Sequence, residues 1–174
     1  MHIVDLSNKD IRCDLISDLD INIFKEKEMI GNILVERTNV ISSKINKRKG
    51  KYTTIFFKDA TDIDNREIIE QVFIKELKRI INDNVLNKSI LIVGLGNSLS
   101  TPDSLGPKTI DNIIPTRHLY LINKLDKNYS IVSKIAPGVF ATTGIETFDI
   151  IKGTVKQTNP DYIFVIDALS TNDV

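Results

Sequence analysis

The sequence holds one cysteine, Cys13, in 174 residues. No internal disulfide can form, which excludes a small secreted scaffold stapled by disulfides. It has no excess of either charge: 23 Lys and Arg stand against 23 Asp and Glu. A protein that grips nucleic acid through phosphate attraction carries surplus cations, so direct nucleic-acid binding is disfavoured. No apolar run approaches the roughly 18 residues of a membrane span, and the first residues lack the apolar stretch of a signal peptide. The expectation is a soluble, cytoplasmic chain with no membrane partner. Cofactor signatures are missing too. Gly94-x-Gly96 is followed by Leu99 where a dinucleotide fingerprint has its third glycine, and no Gly-Lys-Ser/Thr follows to make a phosphate loop. Cys13, His2 and His118 are too scattered for zinc spacing. No G-x-S-x-G elbow presents a serine nucleophile. What remains is 41% hydrophobic and 26% charged residues, the composition of an ordinary folded domain.

Proline is absent from the first hundred residues. All five prolines (Pro102, Pro107, Pro115, Pro137, Pro160) come later, and six of the eight glycines lie from Gly94 onward. A charged first half therefore precedes a second half with turns enforced at fixed places. In the first half, residues 1–20 mix acidic and apolar residues with no clean period. Residues 31–42 (GNILVERTNVIS) and 52–57 (YTTIFF) read as strands joined by a basic turn, a β-hairpin. The run Lys47-Arg48-Lys49-Gly50-Lys51 reads as its solvated tip, with anion binding as the other reading. A helix capped by Asp62 or Asp64 runs to about Asn82, with Ile68, Ile69, Val72, Phe73, Leu77, Ile80 and Ile81 on one apolar face. Glu67 and Glu70 near its start and Lys78 and Arg79 near its end complement the helix dipole.

In the second half, residues 89–93 (SILIV) form a short continuous apolar run ending in Gly94-Leu-Gly96-Asn97, as a buried parallel strand does. A helix over 105–114, a strand over 129–135, a helix over 145–157 and a strand over 161–169 follow. This alternation predicts a parallel sheet with right-handed crossovers. Ligands of such sheets sit beyond the carboxyl ends of the strands, so the loops 94–104, 136–146 and 167 onward converge on one rim. Their polar side chains include Asn97, Ser98, Ser100, Thr101 and Asp103, then Thr142, Thr143 and Glu146, then Asp167. Asp167 interrupts an apolar run where the strand leaves the core, as either a functional carboxylate or a cap on the next segment. Asp103 could by itself cap the helix that follows it. Brought close together, the two carboxylates could not both ionise easily, and an acid beside a base can activate water and protonate a leaving group. A metal held between Asp103 and Asp167 is the other chemistry open to such a pair. His118, after a helix end, reads as structural.

Four stretches in order, VGLGN (93–97), TPDSLGPKTIDNIIPTRHLY (101–120), IAPGVFATTGIETFDII (135–151) and NPDYIFVIDALS (159–170), resemble the germination protease family of spore-forming bacteria. VDLSNKDIRCDLISD (4–18) looks like that family's N-terminal zymogen segment, and the basic hairpin KRKGKY (47–52) is similar as well. The resemblance implies an endopeptidase of the spore cytoplasm that degrades small acid-soluble spore proteins during germination. It is made as a precursor that removes its own N-terminus and assembles as a homo-tetramer, with no cofactor. It implies an α/β fold, a mostly parallel sheet with flanking helices similar to hydrogenase-maturation peptidases, preceded by the β-hairpin. The family's two catalytic aspartates map onto Asp103 and Asp167. Its processing junction maps onto Arg12-Cys13-Asp14-Leu15, so cleavage falls between Asp14 and Leu15, consistent with a protease that cuts after Glu. Residues 1–14 are then a propeptide, and 15–174 the N-terminal part of a single peptidase domain whose C-terminal half, with further strands and helices, is missing. Two other readings remain at this point. One is a metal-dependent maturation-type peptidase, with Asp103 and Asp167 as metal ligands. The other is a truncated, inactive fragment.

Overall fold

A computed structural model of the chain describes residues 25–40, 50–59, 61–81 and 85–169. It divides into two compact units, residues 1–82 with the tail from 169, and residues 83–168. Cys13, Asp14, Leu15 and most of the basic hairpin tip lie outside the described residues.

The first unit is a sheet of three antiparallel strands, β1 (Lys25–Ile30), β2 (Ile33–Val40) and β3 (Gly50–Phe56), in that spatial order. Helix α1 (Ile63–Ile81) packs on it. The expected hairpin is β2 with β3. Strand β1 extends it and was not foreseen, because Lys25-Glu-Lys-Glu offers no β-branched residue. Its signal was the turn: Gly31-Asn32 joins Ile30 to Ile33, which are directly paired, and Gly31 has φ +61°. Glycine at the first central position of a two-residue loop is a hairpin preference. Ile33, Val35 and Val72 form the buried core, flanked by Ile30, Ile55 and Ile69.

The start of α1 is fixed locally. The Asp59 carboxylate accepts the Thr61 N–H and hydroxyl, both at 2.7 Å, and the Asp62 carbonyl accepts the Arg66 N–H at 2.9 Å. The buried stripe of α1 is narrower than its apolar pattern predicts. Ile68, Phe73 and Ile80 are exposed, while Asn65, Val72 and Glu76 are buried. Glu76 takes a core position because Arg37 of β2 meets it with two parallel hydrogen bonds, 2.8 and 2.6 Å long. Arg37 also donates to Glu28 at 2.5 Å and to Glu26 at 3.3 Å. Lys75 and Arg79 close the network from α1, at 3.4 and 3.5 Å from Glu28 and Glu26.

The second unit holds three parallel strands, β4 (Ser89–Gly94), β5 (Ile131–Ile135) and β6 (Tyr162–Ile166), in the order β5-β4-β6. The helices are α2 (Leu105–Asp111), α3 (Arg117–Leu121), α4 (Phe140–Thr143) and α5 (Thr147–Thr158). The predicted alternation is present. Central β4 carries buried Ile90, Leu91 and Val93, joined by Ile110 of α2. Helix α2 stops before the predicted Ile114: the residue ahead of Pro115 is pushed out of helical geometry, and Lys134 of β5 donates to the Ile110 carbonyl at 2.8 Å. The helix predicted over 145–157 is α5. A separate turn, α4, precedes it, ended by Gly144 at φ +69°.

Candidate active site

The rim is built around the carboxyl end of β4. Gly94 ends the strand, and a Cβ there would strike Ile110 and the Gly106 backbone of α2. Gly106 lies equally close to Leu95, and a Cβ on it would come within 2.6 Å of the Ile166 carbonyl oxygen. The Leu95 N–H donates to that same carbonyl at 2.8 Å. The two glycines thus let helix α2 settle between the ends of β4 and β6. This role was not read from the sequence, although Gly106-Pro107 at a helix start is its signal.

Asp103 is the last residue of a single 3-10 turn, Thr101–Asp103. Its backbone is fixed from both sides. Its N–H donates to Ser100 at 2.9 Å, and its carbonyl accepts the Asn97 N–H at 2.9 Å. Gly96, at φ +115°, leaves the space into which the Asp103 backbone folds. The Asn97 side chain accepts the Leu99 N–H at 3.0 Å and so shapes the loop itself. The helix that follows is not capped by the Asp103 side chain. Ser104 occupies the capping position, and its hydroxyl donates to the Thr101 carbonyl at 2.9 Å. Among the described residues, no donor or cation meets the Asp103 carboxylate, which is half-buried.

Asp167 follows β6 directly and is exposed, its Oδ1 accepting the Ala168 N–H at 2.9 Å. Asp103 and Asp167 therefore stand on segments leaving the carboxyl ends of two adjoining strands, linked through Leu95 and Ile166. In the order β5-β4-β6, the chain leaves central β4 for one side and returns to the other. The gap between β4 and β6 is the kind of strand-order switch where α/β proteins bind ligands.

The other rim candidates are used locally. Thr142 and Thr143 both donate to the Val139 carbonyl, at 2.9 and 3.2 Å, and hold the turn of α4. Glu146 caps α5 by position. His118 lies on α3, beside the amino end of β5, where Thr116 accepts the Val132 N–H at 2.8 Å. That is the opposite rim from Asp103. Among the described residues, no group of three or more His, Cys, Asp or Glu side chains forms a metal cradle. In the first unit, Lys51 of the basic tip lines a cavity of about 260 Å³ with Arg37 and Arg79. Both arginines are already met by glutamates there.

The family model for germination protease matches residues 5–174. The chain belongs to the germination protease family. The germination protease of Priestia megaterium is 42% identical over 156 residues, 86% of this chain and 42% of that protein. That of Geobacillus is 40% identical over 161 residues, 87% of this chain and 43% of that protein. The Clostridium acetobutylicum protein is 38% identical over 172 residues, 93% of this chain and 53% of its own length. The chain thus spans about half the length of the germination proteases it matches.

Proposed function

We propose that this chain is the catalytic-aspartate part of an endopeptidase that begins the breakdown of small acid-soluble spore proteins during germination. The observation that carries the reading is the family match over residues 5–174, coupled to the position of Asp103 and Asp167 at the ends of adjoining strands β4 and β6. In the proposed reaction one carboxylate takes a proton from water, and that water attacks the peptide carbonyl. The other carboxyl group, protonated, delivers a proton to the departing amine. In this proposal the carboxyl groups themselves exchange the protons, without a metal ion.

The protease is made as a zymogen that cleaves itself between Asp14 and Leu15, works as a homo-oligomer in the spore core, and belongs to a larger sandwich similar to hydrogenase-maturation peptidases. Incubating the acid-processed protein with purified small acid-soluble spore proteins tests the reading. Discrete internal cleavage that persists in a chelator is expected. Intact substrate under conditions where a full-length germination protease cuts it removes the assignment.

A further inference from the structure

The cavity of about 260 Å³ in the first unit has walls that the peptidase reading leaves unused. It lies between the sheet and the last turn of α1. Directly paired residues of neighbouring strands present their side chains on one face of a sheet. Glu26 of β1 pairs with Arg37 of β2, which pairs with Thr53 of β3. Two residues on, Asn39 pairs with Lys51. These five line the cavity from the sheet, and Arg79 lines it from α1.

The charges on these walls do not balance. Arg37, Lys51 and Arg79 share the cavity with a single carboxylate, Glu26. That carboxylate is divided, 3.3 Å from Arg37 and 3.5 Å from Arg79. Fully formed charged hydrogen bonds close to roughly 2.7–2.9 Å, and Glu76 meets Arg37 at 2.8 and 2.6 Å. The buried Arg37 uses four of its five N–H groups. One Nη1 hydrogen is left without an acceptor among the described residues. Among those residues no carboxylate meets Lys51 either.

We propose that this cavity binds a small multivalent oxyanion, a phosphate or a carboxylate, between Lys51, Arg79 and the remaining Nη1–H of Arg37. The anion supplies the acceptors that Glu26 only shares out. Asn39 and Thr53 bring uncharged donors to the same walls. The volume sets the size class, since it falls below the roughly 300 Å³ of the smallest drug-sized pockets. Helix α1 ends here with its carbonyl pole, which does not attract anions. Affinity therefore rests on the side-chain cations. The proposal is independent of the peptidase chemistry, and every residue in it belongs to the first unit.

The test titrates the 174-residue chain with sodium phosphate, and separately with sodium citrate, at ionic strength held constant with sodium chloride. Saturable binding of at least one is expected by calorimetry, and the anion that binds identifies the source of the oxyanion. Backbone amide shifts should fall at residues 37–39, 51–53 and 79–80. That map uses the parent chain and decides the point even where a variant fails to fold. Lys51 and Arg79 are exposed, so Lys51→Gln and Arg79→Gln should keep the parent's circular dichroism. Each should weaken binding about tenfold or more, through loss of a hydrogen bond to a charged group. Glu26→Gln should act in the opposite direction and tighten binding several-fold, because it releases Arg79 and removes a repelling charge. Lys124→Gln, at an exposed position of the second unit, should leave binding unchanged. Absence of saturable binding for both anions overturns the proposal. So do amide shifts confined to other residues, unaltered affinity in Lys51→Gln and Arg79→Gln, or weaker binding in Glu26→Gln.

Discussion

The backbone N–H of Leu95 donates to the carbonyl of Ile166 at 2.8 Å. One bond thus joins the loop that leads to Asp103 with the residue that precedes Asp167. A displacement of either strand end moves both carboxylate carriers, so their relative position depends on backbone rather than on flexible side chains.

The proposed chemistry needs two carboxyl groups, one charged and one protonated. Asp103→Asn and Asp167→Asn keep the shape of each side chain and remove its ability to exchange a proton. The amide oxygen introduced by Asp167→Asn can still accept the Ala168 N–H that Asp167 accepts at 2.9 Å, so the fold should be retained. Each variant is expected to lose roughly 10²- to 10⁴-fold in spore-protein cleavage, the usual contribution of a positioned acid or base. Cleavage assays beside circular dichroism check this. Near-normal rates in either variant reject the paired mechanism.

Gly106 sits in a helix, where alanine is ordinarily favoured by about 1 kcal/mol. Packing opposes that preference here, because a Cβ would meet Leu95 and the Ile166 carbonyl. Gly106→Ala is therefore expected to destabilise by about 1–3 kcal/mol, the usual cost of overpacking. Gly153, in α5, has nothing within 4 Å of its would-be Cβ. Gly153→Ala should stabilise by about 0.5–1 kcal/mol. Urea melts of the two variants must move in opposite directions if the seam between β4, α2 and β6 is what holds the rim.

The proposed zymogen processing makes a discrete prediction. After acidification, Edman sequencing should find a new N-terminus at Leu15, and Asp103→Asn should prevent its appearance. A new terminus at any other residue rejects the Asp14–Leu15 junction.

Much of this arrangement was legible in the sequence, and the failures have identifiable physical causes. The continuous apolar run at 89–93 announced a strand buried on both faces, and β4 is one. The loops after Gly94 and Ile166 were placed on one rim by strand–helix alternation alone. Asp167 stands out there because charge at the end of a core strand needs a reason, whereas Asp103 reads by itself as a helix cap and is singled out by the pairing and the resemblance. Strand β1 escaped because its Lys-Glu alternation serves an ion network that becomes visible only when Arg37 and α1 are in place. The same network misled the helix reading: periodicity put Phe73 and Ile80 inward, but Glu76 occupies that stripe, opposite Arg37. Local pattern cannot register a buried charge whose partner is 39 residues away.

That buried pair yields a stability prediction. The side chains of Arg37 and Glu76 are 9% and 3% exposed. Removing one partner leaves the other charged, desolvated and unmatched. Arg37→Met or Glu76→Leu alone is expected to cost about 3–5 kcal/mol, whereas the double variant should lose much less, since an apolar pair of similar volume removes the desolvation problem. Glu26 and Glu28 are partly exposed and can be resolvated by water. A double-mutant cycle in urea measures the coupling, and additive losses would show that the pair is not coupled.

The same network sets an acid limit on the first unit. Arg37 holds the carboxyl of Glu76 below its ordinary 4.5, chiefly by hydrogen bonding to it. It lowers Glu28 in the same way, with Lys75 assisting. A carboxyl group with a depressed folded pKa binds protons more readily in the unfolded chain, so acid favours unfolding. The contribution of these groups is fully present above 4.5 and is lost as pH falls through their lowered folded values. Stability should therefore stay level from neutrality to about pH 5.5 as far as these groups are concerned, then decline steeply below about 4.5. In the double variant Arg37→Met with Glu76→Leu, the Glu76 contribution is absent and Glu28 has lost its principal partner. Its acid decline should be shallower than that of the parent. Thermal melts from about pH 7 to about pH 3 decide the point: parallel curves for parent and double variant would place the acid sensitivity outside the Arg37 network.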